Sequence, residues 1–497
     1  ISVKDYNSRH WGKLIMNRRE FVKHAAVASA AAALPASVQA SGKQPAKRPN
    51  VLYVFSDQHR AVSLPGEAFN EAIAPSLSRF RGENLSMDSC ISNYPLCAPH
   101  RGILISGLYS PQSGLVHNSQ TLEPTIPGLG DAFQKAGYNT GYVGKWHLYH
   151  GEGVFVPEGP YRFGFEYWQV WANTNQHYNG IVFDPKTGAR VVMPGYQPTR
   201  MTDQAIEFLN QQKNAEKPWL LVLSWNPPHP PFNPPAAERD LYNAPSLKFR
   251  PNVRLSTPAD NLRMPYPPLK SFETLREAEQ GYYGAITAID QEFARLLKTL
   301  DENGMAEDTI VVYTSDHGEM MGSHGHMAKQ MPHEESCRVP FFVRLPGMTG
   351  QGRTSDVLFS SVDIYPTLCG LAGIPIPKHC SGHDFSAVMR GHGDHAPTPE
   401  MVFLMNDRGP YPRMEVDVPT YRGLRTSTHT YAVQLDGRWC LFDNTADPYQ
   451  MKNLVRDPAN RALIEKFDSE LIAWSKSTGD QFPYEKALGS YSSYPCV

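Results

Sequence analysis

Val51-Leu52-Tyr53-Val54-Phe55-Ser56-Asp57-Gln58-His59 is the stretch that decides the fold. Five apolar, β-favouring residues run straight into four polar ones, the pattern of a buried strand that ends in a functional loop. Similar runs recur at 140–143, 219–224, 309–314 and 340–344, with helical patterns between them at 199–212, 273–303 and 363–371. Strands alternating with helices imply an α/β fold with a large mixed, mainly parallel sheet flanked by helices on both faces. Ligands in such sheets bind beyond the carboxyl ends of the strands. Asp57, His229 and Asp316 each follow a strand and are expected there.

Near residue 385 the pattern changes. Short strands at 421–426, 431–435 and 439–442, a turn at Asp436-Gly437 and a helix at 459–476 predict a smaller C-terminal α+β domain, an antiparallel sheet plus helix, against the edge of the main sheet. The expected division is 50–385 for the catalytic domain and 386–497 for the smaller one.

The 497 residues hold 47 Lys plus Arg against 49 Asp plus Glu, a formal net charge of -2. This balance argues against nucleic-acid binding, which needs a clustered cationic excess. The 38 glycines and 43 prolines predict many ordered loops, the segments that most often carry sites. Seven cysteines leave at least one unpaired.

Asn17-Arg18-Arg19-Glu20-Phe21-Val22-Lys23, the alanine-rich run 25–34 and Val38-Gln39-Ala40 together resemble a twin-arginine export signal over 16–40. Met16 is then the start, 1–15 upstream sequence and 41–49 a polar linker. The apolar run is shorter than the ~20 residues of a membrane span. The expectation is transport by the twin-arginine export machinery to the periplasm or outside, without stable membrane insertion.

Cys97-Ala98-Pro99-His100-Arg101 precedes an apolar stretch suited to a buried helix. Proline is preorganised for a first helical turn, so Cys97 falls at a helix N-terminus, where unpaired N–H groups favour an anion. The block, with Ser106-Gly107 after it, resembles the signature of the formylglycine-dependent sulfatases of the alkaline-phosphatase superfamily, and further matches run from about 49 to 390. More weakly, Arg422-Gly423-Leu424-Arg425, Leu441-Phe442-Asp443 and Asn453-Leu454 continue it. The resemblance implies that a formylglycine-generating enzyme oxidises Cys97 to formylglycine (3-oxoalanine), an aldehyde that hydrates to a gem-diol. His100 departs from the small residue common at its position.

Asp57 and Asp316-His317 offer hard oxygen ligands with one imidazole, a set that suits Ca²⁺, Mg²⁺ or Mn²⁺. By resemblance they form the family's metal site with the formylglycine derived from Cys97, and Ca²⁺ is the first choice. Gln58 stands where many sulfatases have a second Asp and is a candidate carbonyl ligand. His317 replaces a commoner Asn. Both departures also occur in phosphonate-monoester-hydrolase-like and choline-sulfatase-like branches as well as in carbohydrate sulfatases.

The resemblance gives Lys145, in Gly144-Lys145-Trp146-His147, a place bridging diol and sulfate, and makes His147 a base on the diol. Lys329 matches the lysine before a Glu-Glu helix start at Glu334-Glu335. Arg101 with the metal would orient the diol, one hydroxyl would attack sulfur, and Lys145 and Lys329 would neutralise the sulfuryl oxygens. His229, between rigid prolines, would be the acid for the leaving alcohol, and elimination begun by His147 would restore the aldehyde.

His177-Tyr178-Asn179-Gly180, with Trp168 and Trp171, reads as a loop beside a sugar, since aromatic faces suit pyranose rings. The expected substrate is a sulfated glycan, and His117, Asn118, His177, Asn179, Arg338 and Arg422 are its candidate contacts. Two rival readings are a phosphonate monoester or phosphodiester hydrolase on the same scaffold and a catalytically silent glycan-binding relative. Six cysteines besides Cys97 would allow up to three bridges in an oxidising compartment.

Overall fold

β1 (Asn50–Asp57) is buried at all 8 of its positions because neighbours flank it on both sides and helices cover both faces. The computed structural model describes residues 48–497 apart from positions 65, 150–153, 172–174, 258–267, 349, 351, 393–396, 408–418, 495 and 497. The candidate export signal, the stretch before it and most of the linker lie outside the described residues.

Along the chain follow β2 (Leu85–Met87), β3 (Cys90–Ile91), β4 (Asn139–Lys145), β5 (Tyr167–Trp171), β6 (Tyr178–Phe183), β7 (Arg190–Tyr196), β8 (Trp219–Pro228), β9 (Thr309–Ser315), β10 (Phe341–Arg344), β11 (Arg353–Ser355) and β12 (Phe359–Ser360). The main sheet has the order β11-β2-β10-β9-β1-β8-β4-β5-β6-β7. Its centre, β9-β1-β8-β4-β5, is parallel throughout. On one wing β10 runs antiparallel to β9 and β2, and on the other β6 and β7 close an antiparallel hairpin.

Alternation along β1 divides the core. Val51, Tyr53 and Phe55 face the layer holding Leu104, Ile364 and Leu368, from the helices Cys97–Ser106 and Ser361–Ala372. Leu52 and Val54 face Met201, Phe208, Ile286 and Phe293, from Gln197–Gln212 and Phe272–Glu302. No helix among the described residues is long and apolar enough to cross a membrane.

β13 (Met401–Asn406), β14 (Tyr421–Thr426), β15 (His429–Gln434) and β16 (Gly437–Asp443) form a four-stranded antiparallel meander, backed by the helix Arg461–Thr478. Residues 48–497 form one compact unit. Sequence patterning places the meander at the sheet's edge. Its Leu404, Tyr421 and Trp439 instead share a core with Ile91, Met320 and Met331, on segments that follow the carboxyl ends of the strands. The meander therefore braces the segments around the site.

Two sequence readings are corrected. Tyr178, Asn179 and Gly180 belong to β6 and not to a loop. Trp168 and Trp171, on β5, lie in the core: Trp168 packs edge-on against Trp146 at 4.9 Å, and the Trp171 indole N–H donates to Gln204 Oε1 at 3.1 Å. Neither tryptophan presents a face to a sugar.

Candidate active site

The parallel register places the chemistry. Asp57 is paired with Pro228, Ser56 with Ser315 and Gly144 with Ser224, so Asp57, His229, Asp316 and Lys145 emerge together at one end of the sheet. Cys97 opens the helix Cys97–Ser106, whose Ala98 N–H donates to Asn118 Oδ1 at 3.0 Å. Asn118 therefore satisfies one of the free amides that a helix start leaves. The helix stops at Gly107, in the left-handed region at φ 70°.

Arg101, one turn along that helix, holds the carboxylates in place. One guanidinium nitrogen lies 3.1 Å from Asp57 Oδ2 and 3.1 Å from Asp316 Oδ2, and another donates to the Lys145 carbonyl and Ser224 Oγ, both at 2.6 Å. Lys145 Nζ adds a 2.6 Å bond to Asp57 Oδ2. Arg101 is 1% exposed and both aspartates 0%, so the attraction is little screened and the loss of one partner would strand buried charge.

The Cys97 sulfur sits among positive groups. Lys329 Nζ donates to it at 3.1 Å, and His317 Nε2 stands 3.3 Å away. Burial opposes ionisation, but Lys145, Lys329 and His317 outweigh it and hold the thiol well below its usual pKa.

Lys329 also donates to Gln58 Oε1 at 2.8 Å, and the Gln58 amide nitrogen donates to Glu319 Oε2. Glu319 Oε1 accepts from the backbone amides of Met321 and Ala328, on the segment leading to Lys329. A fully buried carboxylate thus orients Gln58 and fixes the lysine's loop. Sequence reading missed Glu319, although its place three residues after Asp316 was a signal.

The donor set fits a divalent cation. Ligand atoms of Asp57, Cys97, Asp316 and His317 all lie within 4.8 Å of one another. His317 Nδ1 faces the Gly318 carbonyl at 3.0 Å and so carries hydrogen, which leaves Nε2 directed at Asp57 Oδ1 and Asp316 Oδ1, 3.5 Å from each. Facing two carboxylate oxygens, Nε2 needs either its own proton or a metal cation between them, and the site accommodates both. Burial is the largest single influence on His317 and lowers its pKa, but Asp316 and Cys97 together outweigh it and leave it raised. Burial and the Asp57 charge lift Asp316 to about 6. Burial and Cys97 act on Asp57 in the same sense, but Lys145, His229 and Lys329 keep it below the carboxylate range. Gln58 Oε1 accepts from Lys329 in this arrangement, so it would join a cation only by sharing or exchanging that bond.

His147 and His229 flank the thiol and keep partial exposure, which puts them at the mouth of the site. His147 is within hydrogen-bonding reach of Cys97, and burial holds it down to about 4. Its φ of 59° is the strained left-handed region, as is Gln58's 74°. His229 Nδ1 faces the Pro230 carbonyl at 2.6 Å and carries hydrogen, while the ring also reaches Cys97. Burial and Lys329 lower its pKa.

His177 joins this group: its pKa falls to about 3 through burial and the fields of His229 and Lys145. His117 is buried with Nδ1 2.7 Å from Ser119 Oγ. Asn179 is exposed on β6 and accepts from Gly195 N–H at 3.1 Å. The two arginines singled out as substrate contacts are engaged in ion pairs: Arg338 with Glu67 and Glu334, and Arg422 with Asp480 at 2.7 Å and Asp407 at 3.0 Å. Their charges are met by carboxylates, and the geometry assigns them to holding segments together.

A mixed sheet whose strand ends gather a helix-start cysteine, two carboxylates and two lysines defines a hydrolase of the alkaline-phosphatase type. The Sulfatase family model matches residues 49–374, and the model for the C-terminal part of N-sulphoglucosamine sulphohydrolase matches 322–477. The chain is similar to an ulvan-active sulfatase of Formosa agariphila, 34% identical over 88% of this chain and 82% of that one. It also resembles an endo-4-O-sulfatase of Bacteroides thetaiotaomicron, 29% identical over 90% of this chain and 96% of that protein. A solved structure from work on the metabolism of multiple glycosaminoglycans by that bacterium superposes with a TM-score of 0.78 at 27% identity, covering 89% of this chain and 99% of that one. The chain belongs to the sulfatase family and is a sulfuric ester hydrolase.

Proposed function

We propose that the protein releases sulfate from a sulfated glycan, with Cys97 converted to formylglycine by a formylglycine-generating enzyme and one divalent cation, Ca²⁺ first, held by Asp57, Asp316 and His317. The observation that carries this reading is the Cys97 sulfur within reach of Lys329, His317 and His147 above the Asp57–Asp316 pair. The glycan rests on relatives named ulvan-active, endo-4-O- and N-acetylglucosamine-6-O-sulfatase. The twin-arginine motif supports export to the periplasm or beyond.

When present, the aldehyde hydrate supplies a hydroxyl nucleophile that leaves again by elimination, and the cation polarises sulfate oxygen. Arg101 keeps the two aspartates in position. Lys145 and Lys329 lie on the sulfur side of the cluster and neutralise charge on the sulfuryl oxygens. His147, neutral above about pH 4, is ready to accept a proton. His229 hydrogen-bonds the Pro230 carbonyl through Nδ1, so Nε2 is the atom that delivers a proton to the leaving oxygen. A sulfate monoester anion beside it offsets the Lys329 field and raises its pKa toward working pH. His177, buried beside His229, is the sugar contact this reading retains first.

Sulfate release from defined sulfated oligosaccharides, run beside aryl sulfates and phosphonate monoesters, tests the proposal. A glycan sulfate should give the highest kcat/KM, and preference for a phosphonate or phosphate diester would contradict it.

A further inference from the structure

The tail after the last helix is sewn onto β16. Arg438 N–H donates to the Ser490 carbonyl at 3.0 Å and its own carbonyl accepts from Ser492 N–H at 2.9 Å, so 490–492 add a short parallel pairing beside the strand. Asp436 Oδ2 accepts from both the backbone and the hydroxyl of Ser493, at 3.1 and 3.0 Å. Tyr494 packs edge-on against Trp439 at 5.6 Å. A Cβ on Gly437 would collide with the Tyr491 backbone, so the glycine is what lets the tail lie this close.

This path delivers Cys496 to Cys440 on β16. Both are buried in the cluster that contains Leu404, Tyr421 and Trp439, with their thiols within hydrogen-bonding reach of each other. The Cys496 carbonyl accepts from His333 Nε2 at 3.1 Å, and the sulfur lies 4.0 Å from the same nitrogen. All seven cysteines are thiols in this structure. Cys337 lies in the same buried cluster, but its Sγ donates to the Pro332 carbonyl at 3.5 Å, and Cys90 and Cys369 are buried on other elements.

We propose that Cys440 and Cys496 are a redox site that closes into a disulfide and fastens the tail to β16 and, through His333, to the segment that bears Lys329. The oxidant is a disulfide of the glutathione or dithiol-oxidoreductase class. The Cys496 thiolate attacks it, one of its thiols leaves, and the Cys440 thiolate then displaces the second. Two electrons and two protons pass to the oxidant, which becomes two thiols, and one S–S bond forms in the protein. Burial pushes the Cys496 thiol up, so it forms the attacking thiolate only when the tail is exposed to the oxidant. The bridge closes a loop that contains the whole helix Arg461–Thr478, and cross-links over long loops stabilise most.

The inference is independent of the export reading, because the purified full-length chain can be tested in glutathione buffers of set ratio. Thiols are then alkylated and peptides mapped by mass spectrometry without reduction. The expected result is a peptide pair joining Cys440 and Cys496, lighter by two hydrogens, with a higher melting temperature than the reduced protein and the same rise absent in C496S. Alkylation of both thiols in excess glutathione disulfide, a stable glutathione adduct on Cys496, or a bridge between any other pair would overturn it. C496S alters one tail residue and spares the strand, so it separates loss of the bridge from damage to the meander.

Discussion

The Lys329 ammonium lies 3.1 Å from the Cys97 sulfur and 2.8 Å from Gln58 Oε1, so one buried cation joins the nucleophile position to a residue beside the carboxylate Asp57. Placed there, it meets whatever charge gathers at sulfur in the transition state. K329A should lower kcat by roughly 10²- to 10³-fold, the range for loss of one preorganised electrostatic donor. Steady-state kinetics checks this, and a change confined to KM would show that Lys329 contributes only to ground-state binding.

Glu319 acts at one remove. In E319Q one oxygen becomes an NH₂ that must face either the Gln58 amide or the Met321 and Ala328 N–H groups, a donor–donor conflict in both cases. Misplacement of Lys329 should then lower kcat/KM by about 10- to 100-fold. An unchanged far-UV spectrum would separate this from unfolding. Activity equal to that of the parent would show that the loop does not need the carboxylate.

Metal removal has a direction too. Chelation should abolish activity and lower the melting temperature, with Ca²⁺ restoring both. At 100 times its Kd a cation adds about 2.7 kcal/mol to the folded state. D316N should weaken this rescue, because it removes one of the two carboxylates that face the cation, and should also lower the melting temperature of the metal-free protein, because buried Arg101 loses a partner. Calorimetry with and without metal reads the difference.

Acid stability should follow two buried histidines packed ring against ring. The His324 and His333 rings lie 4.5 Å apart, and burial holds their pKa values at about 3 and about 4 despite the nearby Glu335, which acts the other way. Both values lie below the unfolded value of about 6.5, so the unfolded chain binds more protons and stability falls with pH below that point. Each group costs up to about 1.4 kcal/mol per pH unit until its folded pKa is reached. Glu335, lowered to about 2, adds loss in the same direction only below its own unfolded value of about 4.5. Melting temperatures between pH 7 and 4 should decline, and H333Q should flatten the slope.

The parallel centre of the fold was legible because strands covered on both faces read as unbroken apolar runs, as in 51–55 and 219–224. β2, β3 and β11, of two or three residues, are too short to show a period, and β7 exposes Val191 and Val192 and contains Pro194. β13, although apolar, lies inside the predicted C-terminal domain without having been read as a strand. In the site, residues at strand ends and in signature blocks could be read directly. Those whose role depends on distant partners could not: Arg338 meets Glu67, Arg422 meets Asp480, and Glu319 meets Gln58.

The central claim is that Cys97 is a precursor. Active protein, co-produced with a formylglycine-generating enzyme, can be digested and its Cys97 peptide weighed beside an assay of the same sample. The account predicts an aldehyde at Cys97 in proportion to specific activity, and a loss of at least about 10³-fold in C97A. A fully active preparation in which Cys97 is still a thiol would contradict it.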